Sequence, residues 1–195
     1  MLRDYFQRES LMDGLVDALD DDLILISDLD EIPNLDNFDT SIINNNILIF
    51  EQNIFYYKLN LIYDEFIWHG TRATKKKNLL SPQWLRNIKA KNYSKLRLDT
   101  FFSKKKYSNL LFIKEGGWHF TSLKTPEKLE KKLLNFAHHY EFEESGLKLN
   151  DIKKLIKEKR IIYDYKVDQK EYKWSGSSTL KKINIDKLPA YVSLN

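Results

Sequence analysis

Asp28 and Asp30 stand one residue apart at the end of the apolar run Leu23-Ile24-Leu25-Ile26, and Glu31-Ile32-Pro33 follows them directly. Alternate residues of an extended segment point to the same side, so the two carboxylates are expected to share one face. Side by side and unpartnered they repel. A hard divalent cation removes that cost and prefers oxygen ligands, so Mg or Mn is the metal such a pair suits. A solvated acidic turn is the alternative use of the same residues. The buried strand expected before them, and the Glu-Ile-Pro after them, favour the metal.

Histidine is scarce, with four in the chain. His119 follows Gly116-Gly117-Trp118, where small residues allow close approach of the backbone to a ligand. His138 lies opposite the apolar stripe of its helix. Either imidazole is a candidate third metal ligand, and each alone has a structural or solvated role as its alternative. Trp68, Trp84, Trp118 and Trp174 offer faces that stack on a sugar or base, or that fill a core.

Other chemistries lack their residues. The chain has no cysteine, which removes disulfides, thiolate metal sites and cysteine nucleophiles. No Gly-x-Gly-x-x-Gly, no phosphate-cradling Gly-Lys-Ser/Thr loop and no Gly-x-Ser-x-Gly elbow is present. A net charge of +4, from 32 basic and 28 acidic residues, is too small to argue for nucleic acid. The runs Lys75-Lys76-Lys77 and Lys104-Lys105-Lys106 read as solvated loops, with phosphate or membrane-surface contact as the alternative. No apolar run reaches the roughly 20 residues of a membrane span. The charged start, Met1-Leu2-Arg3-Asp4, lacks the apolar core of a signal peptide, so a cytoplasmic protein is expected, with Golgi-type membrane anchoring as the alternative if an upstream segment is missing from this chain.

The elements that must position the acids follow from periodicity. Residues 3–19 read as an amphipathic helix with Tyr5, Met12, Leu15, Val16 and Leu19 on one face. Residues 23–26 read as a strand buried on both faces, and Pro33 ends its simple continuation. Further strands are expected at 47–52, 54–61, 66–74 and 110–113. Ser81-Pro82 starts a helix to about Lys89. Thr125-Pro126 starts another to about Tyr140, with Leu129, Leu133, Phe136 and Tyr140 as its core stripe. Residues 150–159 form a lysine-rich helix and the last 30 residues are irregular. Hydrophobic residues at 42% suffice for a core, and one α/β domain over 1–195 is expected, with a mixed sheet flanked by helices. In open α/β sheets ligands bind beyond the carboxyl ends of strands, where Asp28 and Asp30 fall.

These motifs resemble glycosyltransferase family 17, the β-1,4-mannosyl-glycoprotein β-1,4-N-acetylglucosaminyltransferase relatives. The resemblance is carried in order by Gln7-Arg8-Glu9, by Asp21 to Asn34, by Phe55 to Asn60, by Trp68 to Thr71, by Gly116 to Phe120, by Lys132 to His138 and by Leu188 to Tyr191. It implies a GT-A-like fold, Mn(II) or Mg(II), UDP-N-acetylglucosamine as donor, a glycan acceptor and inversion at the anomeric carbon. Asp28 and Asp30 would hold the metal, completed by His119 or His138. Asp28, Lys132 and Trp118 would contact the sugar nucleotide. Glu31, Glu115 and Glu141 are the candidates for the catalytic base. Met1 begins inside the family's arginine-containing helix, so the first strands of the nucleotide-binding half are expected to be missing, or supplied by a partner. A truncated or partner-dependent sugar-nucleotide-binding module is the alternative. A strand followed by Asp-x-Asp also begins haloacid-dehalogenase-like phosphatases, but Glu31-Ile32 replaces the small pair expected there.

Overall fold

The computed structural model describes residues 2–36, 38, 43, 47–135, 139–166, 173–174, 178–184 and 188. They form a mixed α/β protein around a seven-stranded sheet. The strands are β1 (Leu23–Ile26), β2 (Glu31–Pro33), β3 (Ile47–Tyr56), β4 (Leu61–Lys75), β5 (Leu110–Ile113), β6 (Gly117–Thr121) and β7 (Lys181–Lys182). The helices are α1 (Leu2–Glu9), α2 (Pro82–Asn87), α3 (Leu98–Phe101), α4 (Pro126–Leu134), α5 (His139–Glu144) and α6 (Leu149–Lys157). The sheet runs β1-β4-β3-β6-β2, with β5 also on β3 and β7 on β4. β1 pairs antiparallel with β4, with Ile26 opposite Arg72, and β5 and β6 pair parallel with β3.

The chain divides into two compact units, residues 1–52 with 69–117 and residues 53–68 with 118–195. In the first unit alternation along β1 and β3 builds two apolar layers. Ile24, Ile26, Ile47 and Ile49 pack with Leu85 and Ile88, while Leu48 and Phe50 pack with Ile43 and Ala73. A strand buried on both faces needs an unbroken apolar run, which Ile47–Phe50 supplies. In the second unit Tyr56, Tyr57, Leu61 and Tyr63 pack against Leu129, Leu133, Phe142, Ile152 and Leu155 from α4, α5 and α6.

Several boundaries differ from expectation for identifiable reasons. The first helix ends at Glu9 and continues as a 3-10 turn over Ser10–Leu15. The Ser10 hydroxyl donates to the Gln7 carbonyl at 2.8 Å, and Gly14 is a poor helix former. With three residues per turn the expected stripe loses its phase, leaving Val16 at 79% and Leu19 at 71% exposed. The expected strands 47–52 and 54–61 are one strand to Tyr56, turned by the positive φ of Tyr57 into β4. β4 also absorbs the expected strand at 66–74. The helix from Thr125 stops at Leu134, where the Asn135 side-chain amide donates to the Lys131 carbonyl at 2.7 Å. Tyr140 is exposed and Phe142 is buried in its stead, while Phe136 lies outside the described residues.

Gly117 opens β6 with φ of +128°, and an added Cβ would stand 2.1 Å from the Ile32 carbonyl oxygen. Gly117→Ala is therefore expected to cost about 3 kcal/mol of stability in urea denaturation. Burial pushes the phenols of Tyr56 and Tyr57 above their ordinary value. Above about pH 10 the unfolded chain ionises them and the folded chain does not, so stability falls as pH rises. An ultraviolet phenolate titration is expected to show Tyr56 and Tyr57 ionising only together with unfolding.

Candidate functional site

β1 delivers the chain to Ser27, whose hydroxyl shares a 2.6 Å hydrogen bond with that of Thr71 on β4. Gln52 adds a bond to the same Thr71 oxygen at 3.2 Å, so a short polar chain, buried at Gln52 and Thr71, lies where the strand ends. The backbone then turns. The Glu31 N–H donates to the Asp28 carbonyl at 3.0 Å, and the Asp28 N–H donates to Glu31 Oε2 at 3.1 Å. The extended alternation expected for Asp28 and Asp30 does not hold, because residues 29 and 30 are the turn itself. Glu31 closes that turn from both directions, with its side chain and with its N–H.

Two arginines complete the cluster. Arg86 at the end of α2 donates to Asp28 Oδ2 at 2.7 Å, to Glu31 Oε2 at 2.9 Å and Oε1 at 3.0 Å, and to the Gly70 carbonyl at 2.7 Å. Arg8 of α1 donates to Asp28 Oδ1 at 3.2 Å and to Gln83 Oε1 at 3.3 Å. The Glu31 side chain is fully shielded and that of Arg86 is 9% exposed, whereas that of Asp28 keeps 38%. Arg86 thus pairs with one shielded carboxylate, Glu31, and one partly open carboxylate, Asp28.

The supporting helix is built for this. Ser81 caps α2 by accepting from the Trp84 N–H, and Pro82 occupies the first turn. Glu9 accepts from the Gln83 N–H at 3.0 Å, placing negative charge at the helix N-terminus. Buried Arg72 of β4 donates to the carbonyls of Leu85 and Arg86, placing positive charge at the C-terminus. Burial and then the neighbouring Arg86 push the Arg72 guanidinium down to about 10, which leaves it charged at neutral pH.

Of the residues expected to act together, the first unit holds Asp28, Asp30, Glu31 and Glu115. Asp30 is half-buried and Glu115 is exposed in a left-handed conformation. The Glu115 carbonyl accepts from Asn34 Nδ2 at 3.4 Å, and the Gly116 carbonyl accepts from the Asn34 N–H at 3.0 Å. The Glu115 turn is thereby tied to the chain leaving the acidic motif. The second unit holds Trp118, His119, Lys132 and Glu141. Its His119 is buried and stacks on Trp68 with centroids 4.7 Å apart, while Lys132 and Glu141 are exposed on α4 and α5. His138 lies outside the described residues. Among the described residues no group of three or more His, Asp or Glu side chains is disposed to hold a metal ion.

Sequence reasoning found Arg8 only as part of a motif and missed Arg86. The available signal was the cost of burying a carboxylate: Glu31 packed beside Ile32 requires a cationic partner. Comparison with protein-family models, with curated proteins and with solved structures gives no match for this chain.

Arg86→Ala leaves Glu31 charged and buried without its guanidinium, an expected loss of about 3–5 kcal/mol in urea denaturation. Arg86→Met combined with Glu31→Gln is expected to cost less than Arg86→Ala alone. Equal costs for the two variants would show that the loss does not come from an unpaired buried charge at Glu31.

Proposed function

We propose that this chain is a metal-dependent, inverting glycosyltransferase of GT-A-like fold that moves N-acetylglucosamine, or a related sugar, from a UDP-sugar to a glycan acceptor. The observation that carries the proposal is the acidic turn at the carboxyl end of β1, with Asp28 partly open and braced by Arg8 and Arg86. The ordered motif resemblance to glycosyltransferase family 17 supports it.

The donor chemistry fits the metal. Asp28 and Asp30 offer hard oxygens, and each Asp28 oxygen accepts a guanidinium bond with lone-pair capacity to spare. A bound Mn or Mg would act as a Lewis acid that offsets the charge developing on a departing diphosphate. The protein's own contributions are positional. Arg86 fixes Asp28 and Glu31 in one arrangement before any ligand arrives, so no reorganisation is needed at the moment of reaction. Glu31 is a positioning residue in this account, because its oxygens face Arg86 and its side chain is shielded. Exposed Glu115 and Glu141 are the remaining carboxylates offered as the base that takes the acceptor proton. His119, Trp118 and Lys132 stay as proposed contacts to metal, sugar or phosphate.

Isothermal titration of the whole chain with UDP-N-acetylglucosamine is expected to give binding that requires Mn. Asp30→Ala should weaken it by about tenfold or more. Mn-independent binding, or an Asp30→Ala variant that binds like the parent, would refute the metal role. Binding that survives with no transfer to any glycan would favour the sugar-nucleotide-binding module.

A further inference from the structure

The two lysine runs of the chain have different surroundings. Lys75 and Lys77 both reach Asp21, at 3.0 and 2.8 Å, and Lys76 bonds to the Ala18 carbonyl. The two lysines hold the Asp21 carboxyl at about 2, so this run is absorbed by the fold. The second run is not. Lys106 pairs with Asp99 at 2.5 Å, but Lys95, Lys104 and Lys105 have no ion-pair partner among the described residues. From Lys89 to Lys106 the chain carries six lysines and Arg97 against one acid, Asp99.

That basic segment also exposes large apolar side chains. Leu96 is 92%, Leu98 76% and Phe102 89% exposed. Its base is fixed. Asn92 exchanges two side-chain hydrogen bonds with Leu110, at 2.8 and 3.0 Å, and the Tyr93 N–H donates to the Tyr107 carbonyl at 2.9 Å. The Trp84 indole donates to the Lys104 carbonyl at 3.0 Å. Lys91, Arg97 and Lys106 crowd the Tyr93 ring at 5.6 to 5.9 Å. Between base and tip lies a cavity of about 620 Å³ lined by Lys95, Thr100, Phe102, Lys104, Lys106 and Tyr107. The Thr100 hydroxyl oxygen there is shielded from water and has no hydrogen-bond partner among the described residues.

We propose that the loop 94–106 is an anchor for an anionic lipid membrane, with Leu96, Leu98 and Phe102 entering the interface and the lysines engaging headgroup phosphates. Protruding apolar side chains ringed by cations match the two layers of such a surface. A nucleic acid would use the cations but gain nothing from exposed leucines. The apolar segment at Val16 and Leu19 does not compete for this role, because Asp13, Asp17, Asp20 and Asp22 surround it and anionic lipid repels them. The cavity suits a phosphate oxygen, with lysine ammoniums and the Thr100 hydroxyl as donors.

The test is co-sedimentation of the whole chain with phosphatidylcholine vesicles, with and without phosphatidylglycerol. Binding is expected only with the anionic lipid and should weaken as salt rises. Leu96→Ser with Phe102→Ser should reduce it about tenfold or more, and K104Q/K105Q about thirtyfold. Circular dichroism should be unchanged in both, since the side chains removed are exposed. Phe102→Trp should show a blue-shifted emission on anionic vesicles. Equal binding to neutral vesicles overturns the proposal, as does retained binding in the Leu96/Phe102 variant or an unshifted tryptophan. Displacement by soluble glycerophosphoglycerol would mean capture of a free phosphate, and preference for single-stranded RNA over vesicles would mean a nucleic-acid site. Either result also overturns it.

Discussion

One guanidinium organises the first unit of this protein. Arg86 binds both oxygens of Glu31, one oxygen of Asp28 and the Gly70 carbonyl. It therefore joins the end of α2, the middle of β4 and the turn after β1. Glu31 could not sit at zero side-chain exposure without it, because an unpaired buried carboxylate costs several kcal/mol. Arg72 works in the opposite direction, reaching from β4 to the last carbonyls of α2. The helix end and the acidic turn thus hold each other, and the placement of Asp28 is a consequence of both.

The charge balance of that cluster constrains any ligand. Two carboxylates, Asp28 and Glu31, already face two guanidiniums, Arg8 and Arg86. A divalent cation arriving alone at Asp28 would add positive charge beside two arginines. A diphosphate arriving with the cation changes this, since its oxygens give both the metal and the arginines something to bind. In the glycosyltransferase account metal and donor are therefore coupled ligands, and Arg8 is the arginine with freedom to exchange partners. Its side chain is 32% exposed, against 9% for Arg86.

Much of this fold was legible because its signals are local. Leu23–Ile26 and Leu110–Ile113 are strands at the expected limits, and Ser81-Pro82 and Thr125-Pro126 start helices as capping chemistry predicts. Where the expectation failed, a side chain competed with the backbone pattern. Ser10 and Asn135 each took a main-chain carbonyl that a continuing helix would have used. The acidic motif was legible as a cluster but not as a geometry. The turn at residues 28–31 depends on a Glu31 side chain whose orientation is set by Arg86, 55 positions away. Periodicity carries no information about such a pair.

The two lysine runs make the same argument from the other side. Lys75-Lys76-Lys77 and Lys104-Lys105-Lys106 are alike in composition, yet the first closes a loop onto Asp21 and the second crowns an exposed excursion. The difference arises because β4 pairs antiparallel with β1, which sets Lys75 opposite Leu23 and brings Asp21 within reach. Among the described residues no strand sets an acidic run opposite residues 104–106, and Asp99 answers Arg97 and Lys106. Sheet register thus decides which cations the fold consumes. Those it leaves over sit on the same loop as the exposed leucines and Phe102, and charge and apolar surface placed together on an anchored loop serve a layered anionic surface better than they serve water.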